Sequence, residues 1–146
     1  MINDIYNARI LELAGNIAAV DRLEAPDATA TAHSKLCGST VTVDLALAND
    51  RVAAYGHEVK ACALGQASAA VVARHIVGTT ASELRALRET MIGMLKHDGP
   101  PPQGRFADLA CLQPVKDYRA RHASTLLVFD AVVDALDQIA AREHAA

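Results

Sequence analysis

The sequence predicts an α+β domain in which a three-stranded antiparallel meander carries helices on one of its faces. Three observations predict it. Thr40 to Ala48 alternate strictly, with Val41, Val43, Leu45 and Leu47 on one side, the period of two that a half-buried strand needs. Asn49-Asp50 follows as a turn signal and leads into a returning segment, Arg51 to Val59, so the two stretches form an antiparallel hairpin. From Gln66 onward the apolar spacing changes to three and four, so the later elements are helices. Consecutive strands with one apolar face need a second layer on that face, and the helices supply it.

The elements follow in order. Ile5, Tyr6, Ile10 and Leu13 recur at helical spacing behind a possible Asn3 cap, which predicts a short N-terminal helix over residues 3–13. Val20 to Thr31 has no period, and Pro26-Asp27 breaks any helix, so a loop enters a first strand near Thr29–His33. Small residues with Val71, Val72, Ile76 and Val77 predict a tightly packed helix over 66–77, stopped by Gly78. Thr80-Ala-Ser-Glu83 is a capping box that opens a helix over 81–95, with Leu84, Leu87, Met91, Met94 and Leu95 on one stripe. His97-Asp-Gly-Pro-Pro-Pro ends it, and Phe106 to Leu112 forms a further short helical piece. Leu126, Leu127, Phe129, Ala131, Val133, Leu136 and Ile139 make an apolar C-terminal helix over 124–141.

Composition narrows the function. The chain has 146 residues, 51% of them hydrophobic and only 3% aromatic, so one domain, 1–146, is expected around a core of small aliphatics. The formal net charge is −3, with acidic and basic residues interspersed, which argues against nucleic acid and anionic membranes as partners. No run reaches the ~18 uncharged apolar residues of a spanning helix. Asp4, Arg9, Glu12, Asp21, Arg22 and Glu24 rule out a secretory core near the start, so a cytoplasmic location is expected. Cys37, Cys62 and Cys111 are odd in number and widely spaced, which fits reduced thiols better than a disulfide framework.

Two of those thiols occupy turns. Cys37 precedes Gly38 between the first and second strands, and Cys62 lies between the third strand and the next helix. In a meander these two turns share one end of the sheet, so the thiols can converge. Cys62 also stands just before a helix N-terminus, whose amides favour metal binding or nucleophilic attack by a thiolate. Either cysteine taken singly also reads as a small buried hydrophobe. Cys111 reads as a core thiol on a helical stripe with Leu109 and Leu112. His33, His57, His75, His97 and His144 read as structural or solvated, with His57 kept as a minor candidate because it lies near Cys62.

Leu36-Cys37-Gly38 before an alternating strand, and Ala61-Cys62-Ala63 followed by Gln66-Ala67-Ser68-Ala69, resemble the iron–sulfur cluster assembly scaffolds of the IscU, SufU and NifU N-terminal family. The resemblance runs from Tyr6 to about Leu136 and implies a SufE/NifU-like two-layer sandwich. It implies that the two motif cysteines, with a third at the start of the last long helix and often an Asp in the first motif, bind a nascent cluster or zinc. Here Ser39 stands where that Asp would be, and Ser124 aligns with the third cysteine, with His122 two residues earlier. The metal and cluster ligands so implied are Cys37, Cys62, His122 and Ser124. A hydroxyl is a poor donor to zinc or iron, so His122 is the better third ligand. His122 and Ser124 can both face one centre only if the chain before Ala123 is extended.

The family relation implies a scaffold or sulfur acceptor rather than an enzyme. Its cofactor would be a transient iron–sulfur cluster or zinc, and its partners a cysteine desulfurase that delivers sulfur and the apoproteins that accept clusters. The basic residues Lys116, Arg119 and Arg121 read as a solvated face or as a docking patch for an acidic partner, and Pro114-Val115-Lys116 is similar to a chaperone-recognition stretch of such scaffolds. The missing third cysteine keeps open an alternative: a zinc-binding or metal-free protein that regulates a desulfurase without carrying a cluster.

Overall fold

A computed structural model of the chain describes residues 7–17, 20–35 and 38–145, with side chains to 143. Cys37, the expected Asn3 cap with Ile5 and Tyr6, and the His144 side chain lie outside the described residues. The first helix, α1, spans Ala8–Gly15 and is capped by Asn7, whose Oδ1 accepts from the Ile10 amide at 3.0 Å. The cap of the helix is therefore Asn7 and not Asn3, because Asn7 still has extended backbone angles.

Three strands follow: β1 (Ala28–His33), β2 (Thr40–Ala48) and β3 (Arg51–Lys60), antiparallel in the order β1-β2-β3. Asn49 and Asp50 have φ of 54° and 64°, the two left-handed residues of a turn whose twist matches that of the strands. Val41, Val43 and Leu45 are buried on the helix-covered face, as the alternation requires. The opposite face has one departure from that pattern: Asp44 is fully buried there. The loop at 21–23 lies over it, and Gly56, paired with Asp44, makes this possible. A Cβ on Gly56 would sit 2.5 Å from the Asp21 carbonyl.

The helical layer is α2 (Ala63–His75), α3 (Ala81–Lys96) and α4 (His122–Ala145). α3 starts as its capping box dictates, with Thr80 Oγ1 accepting from the Glu83 amide at 3.1 Å. α2 starts three residues before Gln66, since Gly65 lies inside the helix rather than breaking it. The short helix expected at 106–112 is a longer 3₁₀ segment, Gly104–Asp117. Its buried residues are Phe106, Leu109, Leu112 and Val115, a spacing of three that suits three residues per turn. A second 3₁₀ turn, Arg119–Arg121, leads directly into α4. α4 is the central helix: residues 124–129 are all buried, with the sheet on one side and α2 and α3 on the other. Residues 126–129 are apolar on every side of the helix, as a buried stretch demands, while the charged residues from Asp130 onward lie on its more open part.

Candidate functional site

The starts of α2 and α4 meet at one end of the sheet. Cys62 is the cap residue of α2, in extended conformation, and the turn before it is held by Gln66 Nε2 donating to the Ala61 carbonyl at 2.8 Å. Gly65, one turn in, faces the first turn of α4. A Cβ there would lie 3.1 Å from the Ser124 carbonyl oxygen and 2.8 Å from the Ala61 Cβ, so only glycine lets the two helix starts come this close. The sequence signal for this contact is a glycine inside a run of small helix formers, which reads equally well as a break.

That contact places Cys62 beside Ser124. The Cys62 thiol donates to Ser124 Oγ at 3.7 Å, and Ser124 Oγ donates in turn to the Arg121 carbonyl at 3.3 Å. In a tetrahedral zinc site with a thiolate bond of about 2.3 Å and an oxygen bond of about 2.1 Å, the two donor atoms lie about 3.6 Å apart. The observed separation thus has the length of a ligand–ligand edge. Both helices also direct their N-terminal amides to this end, which favours negative charge there.

His122 is the first residue of α4 and already helical, with φ −61° and ψ −46°. The chain before Ala123 is therefore not extended, because the 3₁₀ turn at 119–121 winds straight into the helix. The His122 Nε2 lies 3.0 Å from the Val115 and Lys116 carbonyls. Both are acceptors, so Nε2 carries a proton, and Nδ1 is the ring nitrogen left for a metal. Ser39, in the place of the expected Asp, is buried. Its carbonyl accepts from the Ser34 amide at 2.9 Å, and Gly38, at φ +71°, bonds back to the Ser34 carbonyl. Ser34 and Ser39 stand beside the strand ends that pair His33 with Thr40 and Thr40 with Lys60, so Gly38 and Ser39 lie at the Cys62 end of the sheet.

Other candidates lie elsewhere. Cys111 is half-buried in the 3₁₀ segment, off the stripe of Leu109 and Leu112, because that stripe has a period of three. Burial pushes its thiol up, with Arg9 acting against the shift. His57 is buried in β3, where its Nδ1 pairs with the Tyr55 hydroxyl at 2.9 Å. His75 packs edge-on against Phe106. Val115 is fully buried and Lys116 pairs with Asp98 at 2.8 Å, which ties Pro114-Val115-Lys116 into the fold. Among the described residues no three His, Cys, Asp or Glu side chains gather as a metal site, and no helix is long and apolar enough to cross a membrane.

A meander sheet under a buried helix, with a cysteine and a hydroxyl converging from two helix starts, defines a small α+β domain with a candidate thiol site at one end of its sheet. The family model described as the NifU-like N terminal domain matches residues 5–125. The chain belongs to that family. The structure is similar to the N-terminal NifU-like protein of Brucella abortus, at 60% identity and a TM-score of 0.94, covering 97% of this chain and 98% of that one. It shares its fold with a putative iron–sulfur cluster assembly scaffold protein for the SUF system from Fervidobacterium islandicum. The identity there is 22% and the TM-score 0.82, covering 90% of this chain and 96% of that one. A hypothetical protein matches at 18% identity and a TM-score of 0.80, covering 92% and 98%. No curated protein matches the chain.

Proposed function

We propose that this protein is a scaffold for iron–sulfur cluster assembly, with the nascent cluster as its cargo. The observation that carries this reading is the Cys62 Sγ–Ser124 Oγ distance of 3.7 Å at the meeting point of two helix starts. Cys62 and Cys37 supply the thiolates and His122 Nδ1 the third donor. The Nε2–H bonds of His122 to backbone carbonyls support that role, since a ligating histidine commonly anchors its other nitrogen in this way. Because the wound start of α4 does not let both residues face one centre, His122 takes the third position by displacing Ser124, the weaker oxygen donor, from beside Cys62. Sulfur arrives by thiolate attack: the Cys62 sulfur bonds to the outer sulfur of a cysteine desulfurase persulfide, the desulfurase thiolate leaves, and Cys62 carries the persulfide. Completed clusters pass to apoproteins, in the cytosol.

Ser124 favours a second reading. As a neutral hydroxyl already donating to Arg121, it weakens the site, which suits a zinc-binding or metal-free regulator of a desulfurase. Anaerobic purification followed by iron, sulfide and zinc analysis separates the two. The scaffold reading expects iron and sulfide after reconstitution, with loss in Cys62→Ala and Cys37→Ala. Zinc alone, retained through reconstitution, supports the regulator. Metal content unchanged by both cysteine substitutions defeats the site.

A further inference from the structure

β1 is a terminal strand of the sheet, so one row of its peptide groups faces away from β2. Such a row is a template for pairing with another chain. Two carbonyls of β1 and its entry receive donors from α4: Gln138 Nε2 donates to Thr29 O at 3.0 Å, and Arg142 Nη1 donates to Asp27 O. The spacings agree. Residues four apart on a helix are about 6 Å apart along its axis, and alternate carbonyls on a strand edge are about 6.6 Å apart. One helix row therefore lays successive donors against successive edge carbonyls. The preceding position of that row holds Asp134, whose carboxylate has no proton to donate, so the row of donors ends at Gln138.

We propose that Gln138 and Arg142 form an edge guard, excluding antiparallel pairing of β1 with the β1 of a second copy of this chain. The strand itself carries none of the usual deterrents: Ala-Thr-Ala-Thr-Ala-His has no Lys, Asp, Glu or Pro. Its first five residues, Ala28 to Ala32, also read the same in both directions. A two-fold axis at Ala30 sets Thr29 of each copy opposite Thr31 of the other, a self-complementary contact of the kind dimers use. Threonine pairing across strands already exists in this sheet, where the Thr31 and Thr42 hydroxyls meet at 2.9 Å. The second copy is therefore the occupant that the edge fits.

The test is the mass in solution, by light scattering on a sizing column at matched high concentration. The double variant Gln138→Ala/Arg142→Ala is expected to show a twofold increase in mass over the wild type. Adding Thr31→Pro, which removes an edge amide, is expected to reverse that increase. If the double variant fails to fold by circular dichroism, Arg142→Ala alone, at an exposed position, is read the same way. A guard variant with the mass of the wild type overturns the proposal, as does an increase that survives Thr31→Pro.

Discussion

Replacing Asp44 by Ala removes one acceptor from three donor groups. In the wild type its carboxylate has no exposed surface. It accepts four hydrogen bonds: from Arg22 Nε (2.6 Å), Arg22 Nη2 (3.1 Å), the Leu23 amide (3.0 Å) and Thr29 Oγ1 (2.5 Å). Arg22 is nearly half exposed and returns to water, so it adds little to the loss. The Leu23 amide and Thr29 hydroxyl are partly buried, and each costs about 1–3 kcal/mol when left without an acceptor. Water entering the vacated space recovers part of that sum. The expected destabilisation is about 3 kcal/mol, which for a chain of this length lowers Tm by about 10 °C.

The pH dependence adds a second readout. Burial, the strongest single influence, pushes the Asp44 carboxyl up, but the bonds from Arg22, Thr29 and Leu23 outweigh it and hold it below the usual aspartate range. A depressed carboxylate gives its full stabilisation above the unfolded value of about 3.9 and loses it as pH falls through the lower folded value. Wild type and Asp44→Ala should therefore differ most above about pH 4 and converge on further acidification. Thermal and urea denaturation followed by circular dichroism across that range measures both effects. A variant within about 2 °C of wild type at neutral pH would refute the account of the buried acceptor.

Further predictions concern the site and its frame. Ser124→Cys places a second thiol beside Cys62 and should raise zinc affinity at least ~10-fold under reducing conditions; competition with a chromophoric chelator reads it, and an unchanged affinity counts against a shared centre. His122→Ala should lower metal retention by ~10-fold or more by elemental analysis, while Ser124→Ala should do little; equal effects of the two would remove His122 from the ligand set. Gly65→Val forces atoms against the Ser124 carbonyl and should cost about 1–3 kcal/mol in urea unfolding, with reduced metal uptake; full stability would mean that the helix starts do not need the glycine. Asp50→Gly relieves a left-handed φ of 64° and should gain about 0.5–1 kcal/mol, a rise in the urea midpoint that a strained turn must show.

Local signals were the legible ones. The alternation at Val41 to Leu47 and the Thr80–Glu83 capping box each depend on residues within one element, and both elements formed with the expected bounds to within a residue. The 3₁₀ segment was harder to read, because Phe106, Leu109, Leu112 and Val115 repeat every three residues around Pro114, a period shared by one face of an α-helix. Burial of Asp44 depends on a loop 21 residues earlier folding over Gly56, and nothing near Asp44 in sequence signals that cover. The nearness of Cys62 and Ser124 spans 62 positions. Only the family resemblance put them together beforehand, since no spacing rule connects two helix starts so far apart.

The central position of α4 also orders events during synthesis. The helix packs on β1 and β2 and touches α2 and α3, so on a growing chain the apolar face of the meander lacks its main cover until this late element has been made. Contacts this distant in sequence form slowly, and the exposed face of the unfinished sheet is then a target for association and for chaperones. Ser124 and His122 arrive with the same helix, one turn from the residues that complete the core. A nascent chain therefore cannot set Ser124 beside Cys62 before α4 has been made and docked.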